Sequence, residues 1–130
     1  MEKTEAQSGK ILVIDDSPHI REIASVLLTH AGYEVETEES GQSAYTRLVE
    51  RKESFDLLLI DVSLDDIDGI TLYRKIKEEL PRQVFLIMSG YNEDDVISDS
   101  MNNDRRLSFL QKPFDSKTLN EIVSRMMKLV

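Results

Sequence analysis

Asp15-Asp16, Asp61, Ser89 and Lys112 are the residues of this chain whose types and placing could do chemistry. Each follows a short apolar run. Ile11-Leu12-Val13-Ile14 leads into Asp15-Asp16, Leu57-Leu58-Leu59-Ile60 into Asp61, Val84-Phe85-Leu86-Ile87-Met88 into Ser89, and a run from Leu107 to Gln111 into Lys112-Pro113. If those runs end on one edge of a sheet, three carboxylates, a hydroxyl and an ammonium gather there. Clustered carboxylates repel, and a hard divalent cation relieves the repulsion. Magnesium suits such a place, because it takes a few carboxylates, keeps several waters and accepts phosphate oxygens. Lys112 would add a compact positive charge for a phosphoryl oxygen, and Ser89 a hydroxyl donor. An aspartate nucleophile beside a metal, a lysine and a hydroxyl is equipped to take up a phosphoryl group. Taken singly, each residue has a plainer reading: a solvated loop or helix cap for Asp15-Asp16, a cap for Ser89, a surface lysine for Lys112. Their joint placing favours the site.

The elements that must hold these residues follow from periodicity. Phe55-Asp56-Leu57-Leu58-Leu59-Ile60-Asp61 is short, apolar and bounded by charge, as a strand buried on both faces would be. Ile11 to Ile14 and Val84 to Met88 read the same way, and Tyr33 to Thr37 is a weaker strand with Val35 its main apolar member. After Ser17-Pro18, which suit a helix cap and first turn, Ile20, Ile23, Ala24, Leu27 and Leu28 recur at helical spacing, and Gly32 supplies a stop. Further helices are predicted from Ser40-Gly41 to near Lys52, over about 70–80 with Pro81 closing it, and from a cap at Asp115 or Ser116 through Leu119, Ile122, Val123 and Met126. Asn92 to Arg106 is the least patterned stretch: Val96, Ile97 and Met101 could form a short helix face, with a turn at Asn102-Asn103-Asp104. The methionines read as core filler. Strands alternating with helices imply a parallel sheet covered on both faces. In such sheets ligands bind beyond the carboxyl ends of the strands, where Asp61 would stand.

A chain of 130 residues is expected to be one domain. Met1 to Gly9 is polar and reads as a flexible tail, lacking the apolar core of a signal peptide. Without cysteine there is no disulfide, thiol chemistry or thiolate metal site. No apolar run approaches a membrane span, so the expected location is the cytoplasm. A net charge of −9 argues against nucleic-acid binding by this chain itself. It suits cation binding or a basic partner. His19 and His30 lack a partner pattern and read as surface residues, as do Asp65, Asp66, Glu93, Asp94 and Asp95, although Asp65 or Asp66 could influence a metal.

Together, Ile-Leu-Val-Ile-Asp15-Asp16-Ser-Pro, Asp61 after its apolar strand, Met88-Ser89-Gly90-Tyr91 and Phe109-Leu110-Gln111-Lys112-Pro113-Phe114 resemble the receiver domain of two-component response regulators. The resemblance runs from about Lys10 to Val130. It implies a flavodoxin-like (βα)5 fold, a parallel five-stranded sheet of order 2-1-3-4-5 with helices on both faces. It further implies that Asp61 is the phosphoacceptor, and that Mg2+ is bound by Asp16 and Asp61, by Asp15 directly or through water, and by the backbone carbonyl of Ser63. Lys112 would hold a phosphoryl oxygen and pair with Asp61 beforehand, and its bond to Pro113 would be cis. Ser89 would bond another phosphoryl oxygen, and Phe109 would be the switch aromatic that follows it. The side chains of Ser63 and Tyr91 would modulate dephosphorylation. The implied partners are a histidine kinase or histidine phosphotransfer protein, and a downstream target or fused output domain. Such a protein is a signalling switch that catalyses its own phosphorylation and dephosphorylation, not a turnover enzyme.

Three departures from the family pattern stand out. Asp65 occupies the place, four residues after the acceptor, where the family often has proline. Phe109 replaces the commoner tyrosine. The stretch before the last strand lacks an Ala-Gly-Ala-like segment. Rival readings are a phosphorylation-independent interaction module, against which the intact acids, Ser89 and Lys112 count, and a magnesium-dependent phosphohydrolase. The latter commonly carries Asp-x-Asp, where this chain has Asp15-Asp16-Ser17. A flavin protein would want a Ser/Thr-rich phosphate loop after the first strand, and none follows.

Overall fold

Because apolar side chains alternate between two faces along a strand, a run with no polar breaks must be covered on both sides. The computed structural model, which describes residues 8–90, 101 and 103–130, meets that requirement with a layered α/β arrangement. In chain order the elements are β1 (Lys10–Ile14), α1 (Pro18–His30), β2 (Glu34–Glu38), α2 (Gly41–Tyr45) running on into a π-helical turn (Thr46–Glu50), β3 (Leu57–Asp61), α3 (Gly69–Glu79), β4 (Val84–Ser89), β5 (Leu107–Gln111) and α4 (Ser116–Met127). The strands are all parallel in the order β2-β1-β3-β4-β5, as the sequence led us to expect.

Alternation divides the core in two. Leu12 and Ile14, Leu58 and Ile60, and Phe85 and Ile87 face α2 and α3, meeting Ala44, Leu48, Leu72, Tyr73 and Ile76. Ile11 and Val13, Leu57 and Leu59, and Val84, Leu86 and Met88 face α1 and α4, meeting Ala24, Leu28, Leu119, Val123 and Met126. Met88, Met101 and Met126 are buried, in keeping with a filling role. His19 and His30 are exposed.

The central strand starts at Leu57, later than its sequence suggested. Phe55 is buried just before it, with the Lys10 ammonium 4.8 Å and the Arg47 guanidinium 5.2 Å from its ring centre. The weakest strand in the sequence, β2, lies at the sheet edge, where only one side needs apolar cover. Its Glu36 and Glu38 bind Arg47, which also reaches Glu53 at 2.8 Å. Charges along an edge discourage pairing with another chain.

Of the least patterned stretch, Val96, Ile97, Asn102 and the Glu93-Asp94-Asp95 acids lie outside the described residues. What precedes β5 is held by Asp104. Its carboxylate accepts from the Tyr73 hydroxyl, the Arg106 N–H at 3.0 Å and Lys77 at 2.9 Å, while the Tyr73 ring packs edge-on against Phe85 at 4.7 Å. Burial would raise the Asp104 carboxyl, but these partners outweigh it and hold it below the ordinary value. Its stabilisation is therefore full above the ordinary carboxylate range and lost as pH falls through the lowered folded value. Replacing Asp104 by Ala strands the Tyr73 hydroxyl and should cost about 1–3 kcal/mol. Urea melts should show that deficit at neutral pH and a shrinking gap to wild type on acidification; equal midpoints at pH 7 would discount the network.

Candidate functional site

β1, β3, β4 and β5 all end on one edge, and each delivers a polar residue there. Asp15 follows β1 and is fully buried. The residues after it turn at once: the Ser17 N–H donates to Asp15 Oδ1 at 2.9 Å, and the Ser17 hydroxyl accepts from the Ile20 N–H, capping α1. Arg21, one turn into α1, donates to the Asp15 carbonyl at 2.7 Å. Asp61, the last residue of β3, is also buried. Its Oδ1 accepts from the Ser63 N–H at 3.2 Å.

Lys112 leaves β5 beside Ser89. The Lys112 N–H donates to the Ser89 carbonyl at 2.7 Å, and the following bond to Pro113 is cis. Its ammonium reaches back across the edge to Asp15 Oδ2 at 3.0 Å and Asp61 Oδ1 at 3.3 Å. Asp16 is half-buried next to them, and one carboxylate oxygen from each of Asp15, Asp16 and Asp61 lies within 4.8 Å of the others.

Three acids against one ammonium leave the charge uneven. Burial pushes the Asp61 carboxyl up from its ordinary value and the charge of Asp15 pushes it further, while the Ser63 N–H and Lys112 offset only part. Oxygen-only donors in that number, with negative charge left over, fit a hard divalent cation.

The structure thus brings Asp15, Asp16, Asp61 and Lys112 together. Ser89 is buried at the end of β4, in register with Gln111. Ser63 is exposed just past Asp61, its backbone N–H already on the Asp61 carboxylate. Phe109 is half-buried and packs against the α2–α3 core. Tyr91 lies outside the described residues.

Two contacts had no clear sequence signal. Asp65 and Asp66 are both exposed, as expected of solvated acids, yet neither stands alone. The Asp65 carboxyl is pushed up from its ordinary value by Asp16. Asp66 turns the other way: its Oδ1 and Oδ2 accept from the Gly41 and Gln42 N–H groups at 3.0 and 2.8 Å, at the start of α2. Burial works to raise the Asp66 carboxyl, but those N–H groups prevail and lower it. Arg21 could have been suspected, standing one turn into α1 from the acid pair.

A family model described as the response regulator receiver domain matches residues 11–124. The sensor kinase CckA of Brucella abortus is 31% identical over 121 residues, which cover 93% of this chain and 13% of the kinase. The transcriptional regulatory protein CrdR of Helicobacter pylori is 32% identical over 117 residues, covering 89% of this chain and 54% of that protein. This chain therefore spans only part of these curated relatives. Among solved structures, the receiver domain of the hybrid histidine kinase CckA matches with a TM-score of 0.76 at 34% identity, over 92% of this chain and 99% of that one. No helix among the described residues is long and apolar enough to cross a membrane.

Proposed function

Because this chain belongs to the response regulator receiver family of two-component signalling, we propose that it is a phosphoacceptor switch in which Asp61 takes a phosphoryl group from a phosphohistidine on a partner histidine kinase or phosphotransfer protein. The observation that carries this reading is the Lys112 ammonium set between two buried carboxylates at the ends of β1 and β3. An Asp61 oxygen attacks phosphorus in line as the phosphorus–nitrogen bond breaks, and the imidazole leaves with the bonding pair and takes up a proton. Lys112 turns from carboxylate to phosphoryl oxygen, offsetting charge on the transferring group. The Ser89 hydroxyl donates to another of those oxygens, and Phe109 follows it inward. Mg2+ would be held by Asp16, Asp61 and the Ser63 carbonyl, with Asp15 direct or through water, and would supply charge neutralisation for the transfer. The product is an acyl phosphate, which water later converts back to Asp61 and inorganic phosphate. Ser63 and Tyr91 would set how fast that happens. The acyl phosphate carries a charge of about −2 in place of a single carboxylate charge, and that change biases a two-state surface that a downstream target or fused output domain reads.

Incubation with acetyl phosphate or phosphoramidate and MgCl2, followed by intact mass measurement, should show one phosphoryl group gained. No gain would reject the reading, and multiple turnover of small phosphate esters would favour a hydrolase. Replacing Asp16 by Ala removes a metal ligand, and calorimetric titration with MgCl2 should find affinity at least about tenfold weaker. Wild-type affinity in that variant would remove Asp16 from the ligand set.

A further inference from the structure

Asp15, just past β1, has each of its polar groups engaged. Its N–H donates to the Glu38 carbonyl at 3.1 Å, its Oδ1 accepts from the Ser17 N–H at 2.9 Å, and its Oδ2 accepts from Lys112 at 3.0 Å. The carbonyl lies beyond the sheet ladder, because β1 pairs with its neighbours only as far as Ile14. Buried with the rest of the residue, it still needs a donor. Arg21 supplies one, its Nη1 lying 2.7 Å from that oxygen. Helical side chains lean toward the N-terminus of their helix, so an arginine one turn into α1 reaches back to the strand end. The Arg21 N–H also donates to the Ser17 carbonyl at 3.0 Å, which ties the residue to the same turn twice. The exit of β3 is closed by backbone instead. There the Gly69 N–H donates to the Val62 carbonyl at 2.9 Å, and a Cβ on Gly69 would run into the Asp61 carbonyl. At β1 the closure depends on one side chain.

We propose that Arg21 is a positioning residue for the acid pair: by holding the Asp15 carbonyl it orients Asp16 toward a divalent cation. This rests on the cation reading given above. The Asp15 carbonyl and the Asp16 N–H belong to one rigid peptide plane. Fixing that oxygen therefore fixes the direction in which the Asp16 side chain leaves the backbone. When Lys112 turns to a phosphoryl oxygen, Arg21 is the side chain that keeps its bond to Asp15 among the contacts described above. The guanidinium is positive, however, and a positive charge this near the acid pair opposes a cation. Placement and charge thus predict opposite signs when Arg21 is removed.

Calorimetric titration of the full chain with MgCl2 at fixed ionic strength separates them, comparing wild type with Arg21→Met, Arg21→Lys and Asp16→Ala. Methionine keeps an apolar stem in place of that of Arg21 and removes the donors and the charge. Affinity should fall about tenfold, as when a group that orients a metal ligand is lost. Arg21→Lys should recover most of that loss, because an ammonium can still donate to a single carbonyl. Affinity in Arg21→Met equal to wild type would overturn the proposal, and tighter binding would mark Arg21 as a repelling charge alone. A loss in Arg21→Lys as large as that in Arg21→Met would also overturn it, pointing to packing around the side chain. Melting in EDTA reads the fold apart from the ion: a lower midpoint with unchanged affinity makes Arg21 purely structural, against the proposal. Should Arg21→Met fail to fold, Arg21→Gln takes its place with the same expectation. If Asp16→Ala loses magnesium while Arg21→Met keeps it, only the role of Arg21 falls. If wild type fails to bind magnesium, the cation reading falls as well.

Discussion

Asp61→Asn should leave the chain unable to gain a phosphoryl group and, at the same time, make it harder to melt. The first effect follows from chemistry: an amide oxygen is too poor a nucleophile to form an acyl phosphate, so intact mass after acetyl phosphate and MgCl2 should match untreated protein. The second follows from the imbalance at the sheet edge. Asp61 is buried, its charge is disfavoured by burial and by Asp15, and one ammonium serves both acids. With asparagine in place, Lys112 and the fully buried Asp15 become a matched pair. The gain in the absence of metal is expected on the order of 1 kcal/mol, as when a strained functional site is relieved. Calorimetric melting in EDTA reads it directly. A lower melting temperature for Asp61→Asn would show that the Asp61 charge supports the fold, contrary to this account.

Lys112→Met should move both properties downward. The lysine is 22% exposed at its side chain, while Asp15 is fully buried and would keep only the Ser17 N–H among its side-chain partners described above. Removing one member of a buried ion pair leaves an uncompensated charge, here costing near the lower end of about 3–5 kcal/mol. Phosphoryl uptake from acetyl phosphate should slow by roughly 10²–10³-fold, the usual effect of removing one group that meets developing charge. MgCl2 should stabilise this variant more than it stabilises wild type, because a bound cation would replace the missing charge and ligand binding favours the folded state. Unchanged melting and unchanged uptake would together show that Lys112 is a bystander.

Most of the fold was legible because of how parallel sheets are buried. Ile11 to Ile14, Leu57 to Ile60 and Val84 to Met88 are apolar without a break because both faces are covered, and each run ends where water and function begin. β2 was faint for the converse reason. Only part of an edge strand faces the core, so Val35 stands among glutamates whose partners, Lys10 and Arg47, come from other elements. The π-helical turn at Thr46–Glu50 has no signature in its own residues, since they would suit an ordinary helix equally well.

At the site, the residues brought together were those at strand ends, where the local pattern fixes position. Asp65 and Asp66 looked like interchangeable solvated acids because their partners lie far off in sequence, at Asp16 and at Gly41-Gln42. Proline was expected where Asp65 stands, and that mismatch was the only signal. No local rule links a loop acid to the start of a helix two elements earlier.

The pinched base of that loop has a consequence for variation. With Val62 and Gly69 bonded to each other, the strand below and the helix beyond are spliced together whatever the intervening residues do. The two ends of the segment are thereby fixed in a closed socket. Within the segment the exposed Ser63 side chain has room to vary, whereas Leu64 is buried in the core and Asp66 holds the start of α2. Gly69 has no such latitude, because a side chain there would press on the nucleophile's own carbonyl. Mutational tolerance in folding should therefore change residue by residue: open at the exposed Ser63 side chain, narrow at Leu64 and Asp66, and closed at the glycine where the loop meets its socket.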